Sequence, residues 1–198
     1  MKINLTIKAL MLSDFFALTG FGLIAPIMAV FIKEDLTGGS IFAAGLASSI
    51  FMVVKSVVQL PFSRHVDRHD DHDDIKWLII GMVVVTAVPL MYIYAGSVNH
   101  IYIIQAIYGV GAGLAYPTWL GLWSTHLDKN HESFEWSLYS TVASFGSAVA
   151  AAAGGAMAEF WSFNITFIFA AALCFVGFMF LIYLKLKMRR QAAPARSK

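Results

Sequence analysis

One cysteine among 198 residues leaves no partner for a disulfide within the chain, and Cys174, set inside a long apolar run, says nothing of the redox compartment. Charge is almost as scarce. Asp, Glu, Lys and Arg make up 13% of the residues, against roughly 25% in a soluble domain, while apolar residues reach 59% and the mean hydropathy is +0.70. That balance excludes an ordinary water-soluble domain. No nucleophile triad, phosphate-binding loop or zinc-ligand spacing is present, so the sequence points to neither an enzyme nor a cofactor. No apolar run alternates as the strand of a membrane barrel does.

What the sequence has instead is six long apolar runs, at about 9–32, 41–62, 75–96, 100–124, 136–158 and 163–184, each near or above the ~18 residues that a helix needs to cross hydrocarbon. A bilayer offers no water to unpaired backbone groups, so these runs must be helices. The expected fold is an all-α membrane protein. The first run is too long for a signal-peptide core and is read as a retained helix. With the N-terminus in the cytoplasm, twelve of the fourteen Lys and Arg residues fall inside, leaving Lys33 outside and Lys55 within a span. The expectation is therefore a multi-pass cell-membrane protein with both termini cytoplasmic and a basic tail over 187–198 that meets anionic headgroups.

Two of the runs share a pattern. Gly20, Gly22, Leu23 and Pro26 in run one repeat as Gly111, Gly113, Leu114 and Pro117 in run four. The copies lie in spans three apart, so they run in opposite directions across the membrane. This is an inverted repeat, with repeat one over about 5–96 and repeat two over about 97–186. Pro26, Pro61, Pro89 and Pro117 place a possible bend in each of the first four spans.

These features resemble the N-terminal half of a major facilitator superfamily transporter. The family motif GxxxDRxGRR falls at Ser63–His72, where Asp67 and Arg68 are kept and both glycines and the basic pair are replaced. The family's RxxxGxGxG falls at Gln105–Gly113 with glutamine for arginine, and its GPxxGG at Ala150–Gly155 without the proline. The resemblance implies a secondary transporter working by alternating access, which in the family takes twelve helices in two halves. Six are present here. A parallel homodimer with a shared cavity on its two-fold axis supplies the rest, with lipid and a small organic solute as the other partners and no nucleic acid. A membrane scaffold without transport, and a subunit paired with a different six-helix chain, are the competing readings.

Charges in hydrocarbon cost at least ~2.5–3.5 kcal/mol, so the few present need a reason. Asp14 and Lys55 fall at about 8–10 Å depth from the same side and are expected to pair, either as a fixed bridge or as a mobile, protonatable couple that gates or couples transport together with Asp67 and Arg68. Ser48, Met52, Lys55 and Gln59 form a polar stripe that should avoid lipid. Gln105, Tyr108, Tyr116 and Trp119 share one face of run four and, with Gln59, Tyr139 and Ser140, are the candidate cavity residues; a plain aromatic packing stripe is the alternative. Trp123 is expected as an interfacial anchor. His100 and Glu159 are expected to lie near the outer surface, within reach of a hydrogen bond. The His- and Asp-rich stretch 65–74 has no known metal-ligand spacing and is read as a solvated cytoplasmic face.

Overall fold

The computed structural model describes residues 4–68 and 71–192, with backbone alone described for 71–73 and 189–192. Seven helices follow in order: α1 (Leu5–Ile24), α2 (Met28–Glu34), α3 (Ile41–Val66), α4 (Asp71–Ile93), α5 (Val98–His126), α6 (Glu132–Phe160) and α7 (Phe163–Ala192). They make six candidate membrane spans, because α1 and α2 together form one, Leu5–Glu34. The break lies at Pro26, which cannot donate to a preceding carbonyl and crowds the turn before it. There the Ile27 amide closes a tighter turn on the Ile24 carbonyl at 3.1 Å. Pro61, Pro89 and Pro117 stay inside continuous helices, so only the first of the four prolines interrupts its span. At the other end α7 carries the helix to Ala192, well into the basic stretch.

Side-chain oxygens cap three starts among the described residues: the Asn4 side-chain carbonyl oxygen accepts from the Thr6 amide and Ser40 Oγ from the Ala43 amide, each at 3.0 Å, and Ser162 Oγ from the Ile165 amide at 3.3 Å. At the end of the bundle opposite the chain termini, the outer end in the orientation expected from the basic residues, the loops after the first and third spans are stitched together. The Thr37 amide donates to the Gly96 carbonyl and the Val98 amide to the Thr37 carbonyl. Gly38, at φ +81°, takes the left-handed turn this requires.

The repeated glycines show how the inverted repeat is built. A Cβ at Gly20 would meet Cys174 Sγ of α7 at 2.9 Å, and one at Gly22 would meet Ala150 Cβ of α6 at 3.1 Å. In the second copy a Cβ at Gly111 would meet Val84 of α4 at 2.7 Å, and one at Gly113 would meet Val58 of α3 at 2.8 Å. Spans one and four therefore each press the first glycine against the third span of the other repeat, and the next glycine against that repeat's second span. Gly109 adds a second close approach to α3, so α3 and α5 meet almost backbone to backbone.

The apolar core divides by depth. One cluster, around Ile32, Val88, Ile101 and Phe167, fills the outer half; another, around Leu10, Leu78, Leu122 and Leu181, fills the inner half. Burial is uneven between helices. Only 11% of the most apolar window of α3 and 22% of that of α6 is buried in the bundle, against 39% to 50% for the other four spans. The open side of α7 presents apolar groups such as Phe169, Phe175 and Val176, as lipid requires. The open sides of α3 and α6 mix Val53, Val57, Phe145 and Val149 with exposed Ser48, Ser140 and Ser144 and half-buried Lys55 and Gln59. Hydroxyls, an amide and an ammonium do not suit hydrocarbon, so these two faces are the ones that call for protein or water.

Candidate functional site

A cavity of about 150 Å³ lies between the two core clusters, with Asp14 and Leu18 of α1, Lys55 of α3, Tyr108 and Trp119 of α5 and Tyr139 of α6 in its wall. Leu78, Met82 and Val85 of α4 give it an apolar back. Aromatic rings bound it above and below. Tyr108 is sandwiched between Phe21 and Phe51, with ring centroids 4.7 and 4.2 Å away. On the inner side Trp119 stacks on Trp123 at 5.0 Å, and both rings lean on Tyr139. Stacking at these distances holds each ring beyond what burial alone provides.

The two charges share the cavity without pairing. The Tyr139 hydroxyl donates to the Asp14 carboxylate, and Lys55 Nζ lies 4.5 Å from the centroid of the Tyr116 ring. Among the described residues these two make no ion pair with each other, which corrects the pairing expected from the sequence. The reason is geometric: α6 lies against α1 and brings a phenol to the carboxylate first, while Tyr116, on the α5 face toward α3, offers its π-face to the ammonium. Counting from Leu5 and back from Val66, Asp14 and Lys55 stand nine and eleven residues in, about 13 and 16 Å along their helices.

Removing one member of a buried ion pair costs ~3–5 kcal/mol. Here the cost should be absent. In a double-mutant cycle of Asp14→Asn and Lys55→Met, followed by thermal unfolding in detergent, the two changes should add to within about 0.5 kcal/mol. A coupling of several kcal/mol would restore the ion pair.

Of the residues singled out in the sequence, Asp14, Lys55, Tyr108, Tyr116, Trp119 and Tyr139 converge on this cavity. Gln59 and Asp67 line a separate crevice of about 370 Å³ toward the inner end of α3 and α5, where they meet Pro117 and Ser124. Tyr116 borders both spaces. Gln105 is 7% exposed and does not line the cavity, its Oε1 without a hydrogen-bond partner among the described residues. Arg68 and Ser140 are exposed. Trp123 is fully buried against Trp119, Trp136 and Tyr139, so it packs the inner floor and does not anchor at the surface. His100 accepts at Nδ1 from the Gly96 amide at 3.3 Å, which gives it a partner other than Glu159. The run Asp70–Asp73 lies outside the residues whose side chains are described; among those described, no group of three potential metal ligands gathers.

Phe21, Phe51, Leu18 and the α4 wall were not legible as cavity residues, since apolar side chains within spans look alike. The repeat held one signal. A shift of 91 positions places Gly20 on Gly111, and the same shift carries Ala17 to Tyr108 and Phe21 to Ala112, all four of which line the cavity.

The family model described as Major Facilitator Superfamily matches residues 10–198. The proton-coupled antiporter flippase LtaA of Staphylococcus epidermidis is 31% identical over 103 residues, which cover 50% of this chain and 26% of that protein. The LtaA of Staphylococcus saprophyticus is 25% identical over 118 residues, 59% of this chain and 29% of that one. The chain thus spans less than a third of these relatives' length. The crystal structure of the POT family transporter PepTSo superposes with a TM-score of 0.75 at 18% identity, over 94% of this chain and 38% of that one, a likeness of fold.

Proposed function

The chain belongs to the major facilitator superfamily, and on that premise we propose that it is a secondary transporter that moves a small organic solute by alternating access, working as a parallel homodimer coupled to protons through Asp14. The family match and the six spans make it a multi-pass membrane transport protein. The observation that carries the finer reading is the half-built cavity beside two uncovered helices. At about 150 Å³ it is smaller than the roughly 300–1,000 Å³ of an organic-ligand site, and two copies facing each other reach the lower end of that range at about 300 Å³, twice the single volume. A two-fold axis along the membrane normal uses the same surface twice, setting α3 of one protomer against α6 of its partner. The walls are mainly apolar and aromatic, which suits a solute with apolar surface.

Asp14 suits proton coupling because its partner is a phenol. A carboxylate accepts from the Tyr139 hydroxyl, and a protonated carboxyl keeps that contact without stranding a fixed cation. The exchange changes the cavity charge by one beside Lys55 and so biases one arrangement of the two bundles over the other. The matched relatives are themselves named proton-coupled antiporters, in line with this reading.

The experiment is flux in proteoliposomes loaded with a pH-sensitive dye under an inward proton gradient, challenged with a panel of aromatic and amphiphilic organic solutes. Solute-dependent proton movement is expected for at least one class. Folded dimers that stay silent across the panel would contradict transport and favour a membrane subunit without it.

A further inference from the structure

A second, lateral space lies on the outside of the bundle where the start of α1 meets the end of α7. It is a groove of about 550 Å³ between Leu5, Lys8 and Leu12 on one helix and Phe175, Val176 and Tyr183 on the other. The helices run antiparallel here. A Cβ at Gly20 would meet Cys174, and a Cβ at Gly177 would meet the Ser13 carbonyl oxygen at 2.5 Å, so residues near Leu5 lie beside those near Tyr183. The groove is therefore polar at one end and apolar at the other. Lys8 and Tyr183 stand at the membrane-surface end, and Leu12, Phe175 and Val176 lie deeper. No acidic residue lines it.

The inverted repeat supplies a natural comparison. The shift of 91 that relates the glycines carries Ala9 to His100 and Leu12 to Ile103, and these two line another lateral groove of about 350 Å³ with Met91 and Tyr94 at the outer surface. One architectural device thus produces two side grooves, one per leaflet. They differ in charge: the inner one has an exposed lysine, while the outer one has a histidine whose Nδ1 accepts from a backbone amide.

We propose that the inner groove seats an acyl chain of an anionic phospholipid, with its phosphate on Lys8 and its tail along Leu12, Phe175 and Val176. The order of groups along the groove, cation at the surface and hydrocarbon below, matches that of a lipid in the inner leaflet, where the basic residues place this end of the bundle. The seat is independent of the transport reading but bears on it, because the α1 segment that forms the groove with Leu12 turns Asp14 into the central cavity on its other side.

The test is native mass spectrometry of the purified protein in mild detergent, titrated with dioleoyl phosphatidylglycerol or dioleoyl phosphatidylcholine. The wild type should retain the anionic lipid about fivefold better, the worth of one lysine near a lipid surface at ~1 kcal/mol. Lys8→Gln should bring that preference to about one, Leu12→Trp should fill the groove and reduce retention of both lipids, and His100→Gln should leave the preference intact. Glycerol 1-phosphate alone should not bind, since the tail supplies the seat. Equal retention of both lipids by the wild type, or an unchanged preference in Lys8→Gln, would overturn the proposal. So would a Leu12→Trp variant that loses its dimer while holding the lipid as before, which would make the groove a contact between copies.

Discussion

Asp14→Asn should abolish uptake driven by a pH gradient, to the background of empty liposomes, while leaving solute exchange in the absence of a gradient. Asparagine keeps the size of the side chain and still accepts a hydrogen bond from Tyr139, so the cavity retains its shape. What it loses is a proton that can come and go. If Asp14 carries the coupling, the two transport modes separate; if it is a structural contact, they fall together. Tyr139→Phe gives the complementary result. Removing a hydrogen bond to a charged group costs about 1.5–3 kcal/mol, so gradient-driven uptake should fall about tenfold or more. The Trp119 and Trp123 rings should hold the phenylalanine in place. A Tyr139→Phe protein that couples as well as the wild type would remove the hydrogen bond from the account.

The second large effect is on stability and comes from the repeated glycines. Gly113→Val forces a side chain against Val58 and the Lys55 carbonyl oxygen, where even a Cβ would stand at 2.8 and 3.0 Å. Because part of that contact is backbone, the helices must move apart, and overpacking of this kind costs typically ~1–3 kcal/mol. For a chain of this size that lowers the melting temperature by about 2–4 °C per kcal/mol. Gly22→Val, the matching position of the first copy, presses on Ala150 and Ser147 and should fall by a similar amount. Gly155→Ala meets nothing within 4 Å and should hold or gain up to ~1 kcal/mol from better helix propensity. Thermal unfolding of the three variants in one detergent decides it. A Gly113→Val protein as stable as Gly155→Ala would mean that α3 and α5 do not approach as described.

The sequence disclosed the six spans and the repeat because both depend on features that survive without neighbours: run length, helical necessity in lipid, and glycines at fixed spacing. It located Asp14 and Lys55 as the charges that need explaining, since in hydrocarbon a charge is conspicuous by itself. Their partners were not legible. Whether a carboxylate meets an ammonium or a phenol depends on which helix lies alongside, and Tyr139 sits 125 residues away on α6. The same limit explains Trp123. Its position near the end of a span reads as an interfacial anchor, but the start of α6 brings Trp136 over it and closes it in. Pro26 differed from the other three prolines because the chain there has a short second helix to begin, a distinction that composition does not carry. The replaced arginine and proline of the family motifs lie at Gln105, which is buried outside the cavity lining, and along Ala150–Gly155, where Gly154 packs on the Leu23 backbone and Gly155 faces open space. Neither change touches the charges that line the cavity.

The claim on which the rest depends is that the open faces of α3 and α6 meet across a two-fold axis. Such an axis, along the membrane normal, preserves depth, so the middle of α3 must face the middle of α6 in the partner. Val53 and Phe145 occupy those positions and are 62% and 71% exposed. Cys174 is fully buried, so introduced cysteines are read against a quiet background. Oxidation of the Val53→Cys, Phe145→Cys double variant in native membranes should give a covalent dimer, while Phe169→Cys, on the lipid-facing side of α7, should stay monomeric. A double variant that remains monomeric, or that cross-links no better than Phe169→Cys, would contradict the shared cavity.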